Sequence, residues 1–360
     1  MRFGLFGYPN SGKKTLYELL TGEAPNEKLS GKQEGIPGAV PVRDHRLTKL
    51  AKLYDPQKVT PAVIDLCLAV DGIYSEAPGE EALEPVFRVL ERSDVLGLMV
   101  RAFKNDAVFH VRGSVDPARD IREWLGELLL RDQLFVEKRL ERLRKDVRVK
   151  RAPEKEKELR LFEKLLKHLE KEQPLRTAAL TQEEAKVLRN YPLLTKKSLI
   201  IIVNVAEEDL GRPDILEPLQ KEFSLWGAEM LPLSVKLELE LAQLPAEEQG
   251  QFLQELGIEE PALEKLTRTV YRMLGRITYF TVGSDEVRAW SVPAGSTAQR
   301  AARAIHADLE RGFIRAELIK YEDLIRLGSE QKVKDAGRLQ LVGRDALVED
   351  GDILSFRFNV

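Results

Sequence analysis

The chain opens on RFGLF, where Phe3, Leu5 and Phe6 surround Gly4, and this pattern predicts a short buried strand. The strand runs into the loop GYPNSGKK, after which Leu16, Leu19 and Leu20 fall on one face of a helix. Strand, glycine loop and helix together open a βαβ unit. Three further apolar runs read as strands: 62–68, 95–100 and 199–205. The last, LIIIVNV, is continuous, as expected of a parallel strand covered on both faces. The alternation predicts an α/β fold with a parallel sheet. Residues 126–172 differ. Leu140, Leu143 and Val147, then Leu159, Phe162, Leu165, Leu166 and Leu169, repeat at helical spacing on either side of Pro153. They predict an antiparallel helical hairpin with its tip near 149–155, inserted because LIIIVNV follows it. Near the end, short alternating runs at 279–282, 287–292 and 353–360 flank one helical stretch at 298–310, which reads as a small α+β domain. The expected division is 1–125 and 190–277 for the α/β domain, 126–189 for the hairpin and 278–360 for the last domain.

With 43% hydrophobic and 32% charged residues in 360, the chain can build a sizeable core, which excludes whole-chain disorder. No run approaches the roughly 20 apolar residues that cross a bilayer. Glycine and proline interrupt MRFGLFGYPN too early for a signal-peptide core. Cys67 is the only cysteine, which excludes a disulfide framework and a multi-cysteine zinc site. The expectation is a cytoplasmic monomer that engages no membrane and no DNA. The histidines, His45, His110, His168 and His306, show no metal spacing; no metal ligand and no catalytic residue is assigned.

Residues 7–13, GYPNSGK, fit GxxxxGK between a strand and a helix, the context that gives this motif its meaning. Glycines let the backbone wrap phosphates with its amides inward, Lys13 reaches the β- and γ-phosphates, and the helix start adds partial positive charge. Asn10, Ser11, Gly12, Lys13, Lys14 and Thr15 are the candidate phosphate-binding residues. The full motif needs Ser or Thr after the lysine, to place a hydroxyl on Mg²⁺. Here Lys14 stands there and Thr15 comes one residue late, about 100° round the helix. Either the Lys14 ammonium fills part of the metal's electrostatic role, or it points to solvent and the metal binds weakly.

At this point the chain resembles the YchF/Obg-like ATPase family of P-loop proteins nearly end to end. GLFGYPNSGKKTLYELLTG is similar to the family's first strand, loop and helix, and GAVPVRDHRLTKLAKLY to the segment after switch I. EVRAWSVPAGSTAQRAARAIHADLERGFIRAELIKYEDL and VEDGDILSFRFNV resemble its C-terminal TGS domain. The resemblance implies a G domain, a helical hairpin and a β-grasp TGS domain. It also implies purine-nucleotide binding (ATP or GTP), slow hydrolysis and association with ribosomes or RNA. NVAEED resembles the base-recognition loop, which assigns Asn204 and Glu207 to the base. LSV, with Ser234 and Val235, resembles the other base-side loop.

The metal side departs from the family. Its DxxG element aligns on Gly72 and puts Ala69 where the Asp should be, with Asp65 and Asp71 in other registers. Lys32 lands on a switch I position where relatives carry Thr. Phosphoryl transfer depends on metal, positioning and electrostatics. The expectation is therefore nucleotide binding with weakened Mg²⁺ and weak or absent hydrolysis. The alternatives are a slow active ATPase or GTPase, or a nucleotide-independent ribosome or RNA module.

The hairpin segment KRLERLRKDVRVKR carries Lys138, Arg139, Arg142, Arg144, Lys145, Arg148, Lys150 and Arg151 against Glu141 and Asp146, a local charge of +6. Such a patch attracts phosphate backbones through counterion release, although a solvated face with i,i+4 pairs would read the same way. Trp290, Phe313 and Tyr321 in the last domain read as core rather than base-stacking residues.

Overall fold

The computed structural model describes residues 2–26, 35–70, 80–149, 152–258 and 260–359. Lys32, Asp71 and Gly72 of the altered switch elements, and Lys150 and Arg151 at the hairpin tip, lie outside the described residues. The chain separates into two compact units, residues 1–38 with 65–263 and residues 39–64 with 264–360.

In chain order the elements begin with strand β1 (Arg2–Phe6), helix α1 (Lys13–Thr21), β2 (Ile36–Pro41), α2 (His45–Tyr54), β3 (Lys58–Thr60), β4 (Val63–Leu68), α3 (Glu80–Glu91) and β5 (Val95–Arg101). The hairpin follows as α4 (Pro117–Val149) and α5 (Pro153–Leu169), then α6 (Gln182–Leu188), β6 (Ser198–Asn204), α7 (Pro213–Glu222), β7 (Glu229–Leu233), α8 (Val235–Gln243), α9 (Ala246–Glu255) and α10 (Ala262–Met273). The last part holds β8 (Arg276–Thr281), β9 (Glu286–Pro293), α11 (Ala298–Ile305), α12 (Ala307–Arg311), β10 (Phe313–Lys320), α13 (Tyr321–Leu327), α14 (Glu330–Asp335), β11 (Gln340–Val342) and β12 (Asp352–Phe358).

The first unit is built on a sheet of order β2-β4-β1-β5-β6-β7, in which β4, β1, β5, β6 and β7 run parallel. Every residue of β5, and all of β6 after Ser198, is buried, which explains their unbroken apolar sequence. Phosphate loop and base-side loops lie at the C-terminal ends of these strands, where open α/β sheets bind ligands.

Helix α4 begins nine residues before the expected hairpin boundary at 126, with Pro117 at its start, where a missing N–H costs nothing. One continuous helix serves two cores. Its first turns place Ile121, Trp124, Leu125 and Leu128 against the sheet. Further on, Val136, Leu140 and Leu143 meet Leu161, Phe162 and Leu165 of α5. The pairs Arg139–Glu158 and Asp146–Lys155 confirm the antiparallel course of the two helices.

The second unit holds a six-stranded sheet of order β11-β10-β12-β8-β9-β3. Parallel β8 and β12 stand at its middle, and α11 packs Ala298, Ala301 and Ala302 on one face against Tyr279 and Phe313, the arrangement of a β-grasp. The helix expected across 298–310 is two: His306 is extended, with φ −160°, and accepts from the Asp308 amide at 3.2 Å to start α12. Residues 39–64, which the sequence division assigned to the α/β domain, belong to this second unit. Strand β3 extends its sheet through parallel pairing of Lys58–Thr60 with Glu286–Arg288. Arg46 of α2 bonds Asp350 at 2.8 Å in the same unit. Phe313 is fully buried and Tyr321 nearly so, as expected of core, while Trp290 is half-buried and donates to Thr281 Oγ1 at 2.9 Å.

Candidate nucleotide site

The loop between β1 and α1 is wound tightly by three residues with positive φ, Gly7 (143°), Asn10 (60°) and Gly12 (101°). At two of them only glycine fits. A Cβ on Gly7 would lie 2.1 Å from the Met99 carbonyl oxygen, and one on Gly12 would lie 2.5 Å from Asn204 Nδ2. Asn10 tolerates the left-handed region and anchors outward, its Nδ2 donating to the Phe109 carbonyl at 3.0 Å. Lys13 is buried, and its Nζ donates to the Tyr8 carbonyl at 2.6 Å, which holds the ammonium over the loop.

Helix α1 starts without a side-chain cap and without an acidic residue in its first turn. Its N-terminal end therefore presents partial positive charge to the loop. Beside it the Ser11 hydroxyl is buried with no hydrogen-bond partner. A buried hydroxyl without a partner is costly; a phosphate oxygen at this loop would supply one. Loop geometry, uncapped helix and orphaned hydroxyl together fit a nucleotide phosphate.

The structure separates the four base-side candidates. Asn204, at the end of β6, is buried and uses both ends of its amide inside the protein. Nδ2 donates to the Ser11 carbonyl at 2.9 Å, and Oδ1 accepts from the Val235 amide at 3.2 Å. Asn204 thus ties the phosphate loop to the start of α8, a bracing role beyond the expected base contact. Ser234 is the N-cap of α8, its hydroxyl accepting from Leu237 N at 3.4 Å. Val235 contributes its backbone. Glu207 opens a short turn after β6 with a partly exposed carboxylate 3.8 Å from Lys236 Nζ.

On the metal side, Leu68 is opposite Leu5 in the parallel ladder, and the Ala69 amide donates to the Leu5 carbonyl at 2.9 Å. Ala69 therefore stands beside the start of the phosphate loop, and it offers a buried methyl group there. Asp65 pairs with Arg2 in register, towards the far end of the strand. Lys14 is exposed on α1 and Thr15 half-buried. Among the described residues no group of three or more His, Cys, Asp or Glu side chains is placed to hold a metal. Among the described residues, the side chains of Lys14 and Ala69 supply no oxygen ligand for Mg²⁺.

Sequence reasoning missed the network behind the loop. The Tyr8 hydroxyl bonds Glu123 of α4 and accepts from Arg112 Nη2 at 3.3 Å, while Arg112 Nε reaches Glu123 at 3.0 Å. Burial first, then the Glu123 bond, pushes the Tyr8 phenol up, so it remains a donor. Buried His110 accepts from the Arg112 amide at Nδ1, 3.2 Å, which places its proton on Nε2, facing Asp120 at 3.0 Å. Burial raises the Asp120 carboxyl, against the opposing pull of Arg119, which donates to it at 2.7 Å. Arg101, wholly buried, donates to the carbonyls of Phe103, Asn105 and Val108 and so shapes the segment that carries Phe109 and His110. The side-chain pairs Tyr8–Glu123, Tyr8–Arg112, Arg112–Glu123 and His110–Asp120 are 10 to 115 residues apart in sequence, and no motif spacing announces them.

Of the basic hairpin residues, Arg139 and Arg144 are tied to Glu158 and Glu163 of α5. Lys138, Arg142, Lys145 and Arg148 are exposed along α4.

Comparison with known proteins agrees with this geometry. The family model YchF-GTPase_C, protein of unknown function (DUF933), matches residues 276–359. The chain is 40% identical over 362 residues to the ribosome-binding ATPase YchF of Haemophilus ducreyi, covering 99% of both chains. It is 37% identical to the Bacillus subtilis protein of the same name over 367 residues, again covering 99% of each. Among solved structures, the Schizosaccharomyces pombe YchF GTPase superposes with a TM-score of 0.86 at 30% identity, over 99% of this chain and 97% of that one. A GTP-binding protein from Pyrococcus horikoshii OT3, at 17% identity and a TM-score of 0.60, shares the fold. With 99% of its length matched at up to 40% identity, and with a parallel-sheet P-loop domain and a β-grasp unit in place, the chain belongs to the YchF family.

Proposed function

We infer that this chain is a purine-nucleotide-binding YchF protein that associates with the ribosome in the cytoplasm and hydrolyses nucleotide weakly or not at all. Nucleotide binding is supported by the wound loop, the buried Lys13 and the orphaned Ser11 hydroxyl. Its relatives are named ribosome-binding ATPases, and the exposed cations Lys138, Arg142, Lys145 and Arg148 suit ribosomal RNA. The observation that carries the hydrolysis reading is the metal side, where Lys14 replaces a hydroxyl and Ala69 stands at the strand end beside the loop. Without a held metal, transition-state charge on the phosphoryl group has fewer groups to answer it. Ser11, Lys13 and the first amides of α1 would hold the phosphates. Asn204 would brace the loop, and Glu207 would face the base.

Calorimetric titration with ATP, GTP and their diphosphates, each with and without Mg²⁺, tests this reading, together with turnover. Binding that ignores Mg²⁺, with turnover near background, is expected. Metal-dependent binding with sustained turnover would instead establish the slow ATPase or GTPase. No binding to any nucleotide would leave only the interaction module.

A further inference from the structure

At the end of the first unit's sheet opposite the phosphate loop, a cleft of about 700 Å³ opens beside Ser93, Asp94 and Ser198, the residues that lead into β5 and β6. Its volume falls within the range of small-molecule sites. Three cations stand in its wall. Arg176 donates through Nε to the Lys197 carbonyl at 2.7 Å and through Nη1 to the Trp226 carbonyl at 3.1 Å. Its Nη2 is buried with no partner. Lys197 Nζ donates to the carbonyls of Leu90 and Glu91, each at 2.6 Å, and Lys196 Nζ to those of Leu188 and Tyr191. An ammonium has three donors, so each lysine keeps one beyond its two carbonyls.

The neighbouring carboxylates Asp132, Asp94 and Glu91 act on these cations and also hold other partners. Asp132 accepts from the amides of Leu194 and Thr195, both at 2.7 Å, and from the Thr195 hydroxyl at 2.6 Å. Asp94 accepts from the Arg2 amide at 2.8 Å, and Glu91 pairs with Arg131. Their charges offset the burial of the cations only in part, since burial still lowers Arg176, Lys196 and Lys197; a bound anion would favour the charged forms further. Apolar lining comes from Leu180, Leu188 and the ring-bearing Tyr191. That ring is itself packed edge-on against Phe162 in the hairpin core.

We propose that this cleft binds a phosphorylated, ring-bearing small molecule of nucleotide size, its phosphate on Arg176, Lys196 and Lys197 and its ring against Leu180 and Tyr191. The site is separate from the phosphate loop and stands or falls independently of it.

Pyridoxal 5′-phosphate is a suitable probe, since it joins a phosphate to an aromatic aldehyde. Its aldehyde condenses with a neutral lysine amine, releasing water, and borohydride reduces the imine to a stable secondary amine. Burial lowers Lys197 to about 8, which favours the neutral amine at mildly alkaline pH. The full chain would be labelled, reduced and mapped by peptide mass, with and without pyrophosphate as competitor. The adduct is expected on Lys196 or Lys197, suppressed about tenfold by pyrophosphate at ten times its dissociation constant. Arg189→Glu at the exposed rim should weaken that protection, and Arg176→Gln should abolish it. Any adduct on Lys13 is read on a different peptide and does not enter the comparison. Labelling at Lys196 and Lys197 no greater than at exposed Lys138, or labelling that pyrophosphate leaves unchanged, would overturn the proposal.

Discussion

Replacing Asn204 by Ala is the sharpest test of how the candidate site is held together. Its amide bonds the Ser11 carbonyl at 2.9 Å and the Val235 amide at 3.2 Å, and it lies close beside Gly12. The substitution would leave an acceptor and a donor buried without partners and would open a small void beside Gly12. Each unsatisfied buried group costs about 1–3 kcal/mol, so the loss of stability is at least about 2 kcal/mol before any contribution from the void. For a domain of this size, that corresponds to a melting temperature lower by roughly 4–8 °C. The assay is thermal unfolding of the full chain without nucleotide, beside calorimetric nucleotide affinity for the same variant. Both quantities should fall. A residue that merely touched the base would cost affinity and leave the nucleotide-free melt unchanged, and that result would refute the bracing role.

The other expectations follow from separate parts of the molecule. Lys14→Ser with Ala69→Asp restores a hydroxyl and a carboxylate at the metal side, and should make nucleotide affinity depend on Mg²⁺, as read by calorimetry with and without chelator. Neutralising Lys138, Arg142, Lys145 and Arg148 to Gln should weaken ribosome binding in pelleting assays. It should also flatten the salt dependence, by about 0.7–0.9 in slope for each phosphate that is no longer neutralised. Burial pushes Asp132 up from 3.8 to about 6, so the folded chain keeps a proton that the unfolded chain releases between those values. Stability relative to Asp132→Asn should therefore fall as pH rises from about 4 to about 6 and level off above, by an amount on the order of 3 kcal/mol. Denaturant titrations of both proteins across that range check it; parallel curves would contradict it. Tyr8→Phe removes the hydrogen bonds to Glu123 and from Arg112 but leaves Arg112 with Glu123, and should cost roughly 1–3 kcal/mol in the same assay.

The sequence by itself determined the elements whose signals are local. A strand, a loop with glycines at 7 and 12 and a helix follow from GLFGYPNSGKK because the turn needs residues free of Cβ clashes. LIIIVNV is a central strand because only a strand covered on both faces tolerates so many consecutive apolar residues. Hairpin periodicity likewise survives in α4 and α5, though the boundary drawn at 126 cut through one helix. Periodicity reports which face is buried and cannot report which of two cores buries it.

Only the tertiary structure decided the rest. Residues 39–64 contribute α2 and β3 to the second unit because β3 completes its ladder against β9, more than 220 residues away. Asn204 braces the phosphate loop because β6 and β1 end at the same edge of one sheet, 193 residues apart in sequence at the Ser11 contact. The locking of His110 by Asp120 and the gathering of Arg176, Lys196 and Lys197 round one cleft have the same origin. A side chain's partners across the fold are set by which surfaces burial brings together, and residue spacing along the chain carries no record of that.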